Sequence, residues 1–166
     1  MVNSKRKGGQ FERDIAKTLS IWMFNDSNVL KREPTSGATK CNYSGDVFPM
    51  KQIDWSNFPF IMELKTGYEE HTPTFYKYTQ ILNWFNKSNI ESHQHNQYII
   101  FLICRFKSQP ILLFTNYQLQ LDKIVPLVII PNQVENEIQW IYTYKFKDLL
   151  ELNFLDLFGS EISYRR

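Results

Sequence analysis

Phe60-Ile61-Met62-Glu63-Leu64-Lys65-Thr66-Gly67 reads as an apolar strand that ends in charge. Side chains alternate across a strand, so Glu63 and Lys65, two positions apart, emerge on the same face. Thr66 and Gly67 follow at once, which puts the pair at the strand's end. Upstream, Ser44-Gly45-Asp46-Val47-Phe48 sets another carboxylate at the start of a second apolar run. Two acids and a lysine at the tips of adjacent strands can bind a divalent ion and keep a cation near an attacking water. Those are the requirements of metal-assisted phosphodiester hydrolysis. A lone Glu-x-Lys is common and usually means a solvated strand face, so the reading depends on what surrounds it.

Working outward, the spacing of Phe11, Ile15, Leu19 and Trp22 predicts a helix over residues 9–24. Asn25-Asp26-Ser27-Asn28 is a turn signal, after which Val29-Leu30-Lys31-Arg32 suits a short strand. Val47-Phe48 and Phe60–Leu64 read as two strands. Thr72 and Pro73 predict the start of a second helix, as N-cap and first helical residue, with Ser88-Asn89 at its end. The continuous apolar run Gln97–Cys104 predicts a strand buried on both faces. Further strands are expected at residues 111–114, 127–130 and 138–142, and a helix over residues 146–158 ended by Gly159. Helix, strands, helix, strands and a mixed tail suggest an α/β sandwich with a central mixed sheet and helices on both faces.

A chain of 166 residues is one ordinary domain. Its composition, 43% hydrophobic and 16% aromatic, suits a packed core and argues against disorder. No apolar run reaches the roughly 18 residues of a membrane span. Met-Val-Asn-Ser-Lys-Arg-Lys-Gly-Gly at the N-terminus lacks the apolar segment of a secretory signal. Cys41 and Cys104 are too few for a disulfide framework and have no C-x-x-C spacing for zinc. The expected compartment is reducing and cytoplasmic. The net charge of +2 is small, but residues 1–50 carry eight Lys/Arg against five Asp/Glu, and residues 111–166 five against seven. The basic excess thus lies at the same end as the candidate acids. Lys5-Arg6-Lys7 reads either as a solvated terminus or as an electrostatic footprint for DNA.

Four more features come in a telling order. Gly8-Gly9-Gln10-Phe11-Glu12-Arg13 opens the first helix with a glutamate. Arg32-Glu33-Pro34-Thr35-Ser36-Gly37 is a polar loop. Gly45-Asp46-Val47 supplies the first acid, and Gln80 lies on the helix after the strand of Glu63. With Glu63-Leu64-Lys65, these resemble the PD-(D/E)xK nuclease superfamily. More narrowly they are similar to the archaeal-type Holliday-junction resolvases, whose pattern is G-x-x-x-E, R-x-P-x-S-G, a D before an apolar pair, then E-x-K. The likeness covers roughly residues 5–85.

The resemblance implies a restriction-endonuclease-like fold, a central mixed β-sheet flanked by helices, as a single nuclease domain. It implies a Mg²⁺-dependent DNA endonuclease, with Mn²⁺ as a possible substitute and a four-way junction as substrate, acting as a homodimer. Asp46, Glu63 and the Leu64 carbonyl would hold the ion, with Glu12 joining directly or through water. Lys65 would orient the attacking water or stabilise the developing charge. Lys5, Arg6, Lys7, Arg32, Ser36 and Gln80 would touch DNA. The plainer readings are a helix-start acid for Glu12, a simple turn at Ser36 and an exposed position for Gln80. His71, His93 and His95 read as surface residues. Two departures stand out. Gly45 replaces the proline of the motif name, and the long connection from Asp46 to Glu63 leaves Asp54 as a rival first acid. Asp46 is preferred because Val47-Phe48 continue as a strand, whereas Asp54-Trp55-Ser56-Asn57 reads as a turn.

Overall fold

The first helix draws its stripe from the spacing just described. In a computed structural model, α1 (Ser4–Phe24) buries Phe11, Ile15, Ala16, Leu19 and Met23 on one face. The structure describes residues 4–33, 44–50, 58–67, 78–93, 97–107, 109–119, 124–134 and 137–158, the side chains of residues 4–7 and 93 excepted. The helix starts earlier than its apolar stripe, running through Gly8 and Gly9 despite their weak helix propensity. It closes at Asn25, whose φ of 55° is left-handed and whose N–H returns to the Ile21 carbonyl at 2.8 Å. The Asp26 carboxylate accepts the Asn28 N–H at 2.9 Å and shapes the turn. Buried Ser20 then ties helix to strand, because its Oγ accepts the N–H groups of Val29 and Leu30, each at 3.0 Å.

The strands are β1 (Leu30–Arg32), β2 (Val47–Pro49), β3 (Phe60–Thr66), β4 (Ile99–Arg105), β5 (Leu112–Thr115), β6 (Val128–Val134) and β7 (Glu137–Lys145). They form one seven-stranded sheet in the order β1-β2-β3-β4-β5-β7-β6. Among these described strands β3 and β4 pair in parallel, joined through α2 (Tyr78–His93), and the other pairs are antiparallel. This is the mixed α/β sheet that the element order predicts. β4 is buried from Ile99 to Cys104, which explains its uninterrupted apolar sequence. Phe60, Met62 and Leu64 of β3 join Phe101 and Ile103 of β4 under α1. Ile61, Ile100 and Leu102 face α2, where Ile81 and Phe85 cover them.

β6 and β7 run longer than expected, and two helix boundaries also differ. α2 does not end at Ser88-Asn89 but continues to His93. Ser88, Asn89 and Ser92 are all buried, and the Ser92 hydroxyl donates to the Asn89 carbonyl at 2.7 Å. Packing overrides their weak helix propensity. The proposed start of that helix at Thr72-Pro73 lies outside the described residues. At the C-terminal end the single expected helix is two, α3 (Phe146–Leu150) and α4 (Phe154–Phe158). The Trp22 indole N–H donates to the Leu152 carbonyl at 2.8 Å, and the Asn153 side chain caps α4 by accepting the Leu155 N–H at 2.9 Å. The bend lets Phe154 and Phe158 pack on Trp22, with ring centroids 5.0 and 6.3 Å away.

Candidate active site

The parallel strands β3 and β4 finish at the same end of the sheet, and the chemistry gathers there. Glu63 and Lys65 continue the side of β3 that carries Ile61, so they point toward α2. Their side chains form an ion pair, with Lys65 Nζ donating to Glu63 Oε1. Glu63 is only 8% exposed, so this charge sits at the rim of the core. The Trp84 ring of α2 lies 6.0 Å from Lys65 Nζ and adds a cation–π contact. Gln80 is one helical turn before Trp84 and shares its side of α2.

Asp46 reaches this pair across the antiparallel β2–β3 contact. Its Oδ2 accepts the Leu64 N–H at 2.8 Å, and its own N–H donates to the Met62 carbonyl at 2.8 Å. Gly45 makes that approach possible. Its φ is 112°, and a Cβ there would stand 2.7 Å from the Met62 carbonyl oxygen. Proline, with φ locked near −65°, has no access to that conformation, which accounts for glycine in the motif's proline position. Gln97, also buried, braces the same loop. Its Oε1 accepts the Ser44 N–H at 3.3 Å while its amide donates to the Phe60 carbonyl at 2.5 Å. Gly45→Ala is therefore expected to cost on the order of 2 kcal/mol of stability and to displace Asp46. A lowered urea midpoint together with slower cleavage would bear this out, and an unchanged midpoint would refute it.

Electrostatics fit a cation at this point. Burial first, and then the negative charge of Glu63, push the Asp46 carboxyl up from its ordinary 3.8 to about 7. The Leu64 N–H and Lys65 work in the other direction without cancelling the shift, and Glu12 adds a smaller push upward. Two crowded carboxylates with incomplete compensation, offering only oxygen donors, suit a hard divalent ion. Burial also holds the neighbouring Cys104 thiol protonated, well above its ordinary range.

The other predicted residues fall in different places. Glu12 accepts a hydrogen bond from Arg32 Nε in a part-buried ion pair. Among the described residues, no three His, Cys, Asp or Glu side chains gather as a metal-binding group. The structure thus brings Asp46 and Glu63 together and holds Glu12 nearby on Arg32. Ser36, Asp54, His71 and His95 lie outside the described residues, as do the side chains of Lys5, Arg6, Lys7 and His93. Sequence reasoning missed Gln97, Trp84 and Arg105. Arg105 ends β4 beside Thr66, donates to its hydroxyl at 3.1 Å, and lies with its guanidinium carbon 4.5 Å from the Phe11 ring centroid. A charged residue closing an otherwise apolar strand was the available signal.

A mixed seven-stranded sheet flanked by helices is the architecture of the restriction-endonuclease-like fold. In agreement, residues 3–158 match the family described as "Phage putative PDDEXK endonuclease", and the chain belongs to that family. No curated protein and no solved structure matches it. No helix among the described residues is long and apolar enough to cross a membrane.

Proposed function

We propose that this chain is a metal-dependent DNA endonuclease that hydrolyses phosphodiester bonds, and that its finer role is structure-selective cutting of four-way junctions. The convergence of Asp46, Glu63 and Lys65 at one end of the sheet carries the reading. Asp46, Glu63 and the Leu64 carbonyl would hold Mg²⁺, or Mn²⁺ in its place, with Glu12 able to join if Arg32 releases it. When bound, the ion supplies charge for the phosphate and a more acidic water. Lys65, already fixed by Glu63 and Trp84, offers its ammonium to the water's oxygen or to the charge that develops on the phosphate. Lys5, Arg6, Lys7 and Arg32 contribute phosphate contacts, with Ser36 and Gln80 closer to the cut.

Junction cutting asks for two sites related by a two-fold axis. One face of the β6–β7 hairpin supports such a pairing. Ile129, Pro131, Ile138 and Trp140 lie together there, all exposed and all uncharged. A second copy can meet this face without like-charge repulsion. Incubation of the protein with labelled four-way junction, linear duplex and single strand, in Mg²⁺ or EDTA, tests the whole reading. Paired, symmetric cuts in the junction that vanish in EDTA are expected. Efficient cutting of linear duplex with no junction preference would favour a restriction-like enzyme, and a strictly monomeric chain on the junction would remove the dimer. Absence of any cutting in either metal would leave a DNA-binding protein of the same fold.

A further inference from the structure

The exposed side of α1 and the edge strand β1 enclose a groove of about 490 Å³ that the cutting site does not use. Arg13 and Lys17, one helical turn apart, line one wall, and Lys31 and Arg32 line the other. Ser27 and Asn28 close the end, with Ala16 and Leu30 between the walls. Among the described residues, no acidic side chain lines it. Arg32 is committed to Glu12, but Arg13, Lys17 and Lys31 are exposed and present their charge to solvent. Arg13 spends one donor on Gln10, at 3.0 Å, and a guanidinium has four more.

We propose that this groove holds the phosphodiester backbone of DNA on the flank of the cut. The proposal rests on the endonuclease reading and extends it to three residues outside the cutting site. Two features specify the ligand. Apart from the aliphatic Ala16 and Leu30, the lining is cationic, hydroxyl and amide groups with no aromatic ring, so it can grip phosphate and sugar but offers no platform for a base. Its position is set by the sheet register. Arg32 pairs with Val47, and the next residue, Glu33, donates its N–H to the Asp46 carbonyl at 2.9 Å. The groove therefore begins one residue along the chain from the partner of the first acid and leads away from it along the sheet edge. Glu63 faces the α2 side and the groove opens on the α1 side, so a strand whose scissile phosphate lies at Asp46 and Glu63 would enter the groove by rounding the strand ends.

The test is a charge-matched comparison in the full chain. Arg13→Gln, Lys17→Gln and Lys31→Gln are combined in one variant. Lys87→Gln, Lys145→Gln and Lys147→Gln, all exposed and all outside the groove, are combined in another. Binding to fluorescent duplexes of AT-rich and GC-rich sequence is measured by anisotropy in EDTA across a salt series, and circular dichroism checks that each variant is folded. The groove variant is expected to bind about tenfold or more weakly at low salt on both sequences, and to lose up to about 2.7 from the log–log salt slope. The control variant should lose far less. Equal losses in the two variants, no loss in the groove variant, or a loss on one sequence only would overturn the proposal, as would an intact protein that does not bind DNA at low salt. Cleavage by the intact protein in Mg²⁺ and Mn²⁺ is scored separately. Binding through the groove without any cutting would sink the nuclease reading and leave the groove assignment standing.

Discussion

Glu63→Gln abolishes cleavage and leaves DNA binding in place: this is the largest effect expected on activity. The amide keeps the size of the side chain and loses the charge that a divalent ion needs. It also removes the anionic partner to which Lys65 Nζ donates. A metal ion contributes several kcal/mol of transition-state stabilisation, so its loss lowers the rate on the order of 10³-fold or more. Binding depends on phosphate contacts elsewhere and is read independently by anisotropy. The β3 core should tolerate the change, because Glu63 already sits at the rim with a neutral shape match. Cleavage at near-normal rate by Glu63→Gln in Mg²⁺ would remove Glu63 from the metal site. Asp46→Asn and Asp54→Asn complete the comparison: loss of cutting in the Asp54 variant alone would move the first acid to Asp54.

Asp46→Asn should also make the metal-free protein more stable at alkaline pH, which sets function against stability at one atom. The carboxyl titrates at about 7 in the folded chain and at its ordinary 3.8 when unfolded, so the folded state holds its proton more tightly. Ionisation therefore costs stability progressively from pH 3.8 upward. The full cost is present above pH 7 and absent below pH 3.8. Asparagine cannot ionise, yet its side-chain oxygen can still accept the Leu64 N–H. In EDTA at pH 8 the variant should gain on the order of 2–4 kcal/mol over the parent, with the gain vanishing near pH 4. Urea midpoints at the two pH values measure this. Equal midpoints at pH 8 would show that the Asp46 carboxylate is not held in a desolvated site. The same substitution should be inactive, because the carboxylate whose burial costs stability without metal is the charge a cation would need.

Local pattern determined a good deal of this protein by itself. Phe11, Ile15 and Leu19 mark α1 because a helix buries every third or fourth residue. The run Ile99–Cys104 marks a central strand because a strand covered on both faces has no polar side. Glu63 and Lys65 share a face because strand side chains alternate, and they lie at a strand end because Thr66-Gly67 follow. The order of the acids and the lysine was enough to resemble the PD-(D/E)xK nucleases, and the family match over residues 3–158 supports that class. Tertiary structure decided the rest, through partners far apart in the chain. The break between α3 and α4 depends on Trp22, 130 residues before the Leu152 carbonyl it holds. α2 runs through Ser88 and Asn89 because the core encloses them. Glu12 reads in the sequence as one more acid, but β1 places Arg32 against it and neutralises it locally. The cationic groove has no contiguous motif at all. Arg13 and Lys17 are a helical turn apart, and Lys31 joins them only because Ser20 draws β1 back along α1. Residues linked by one element's periodicity can be read along the chain, whereas a site whose walls belong to different elements exists only once those elements have packed.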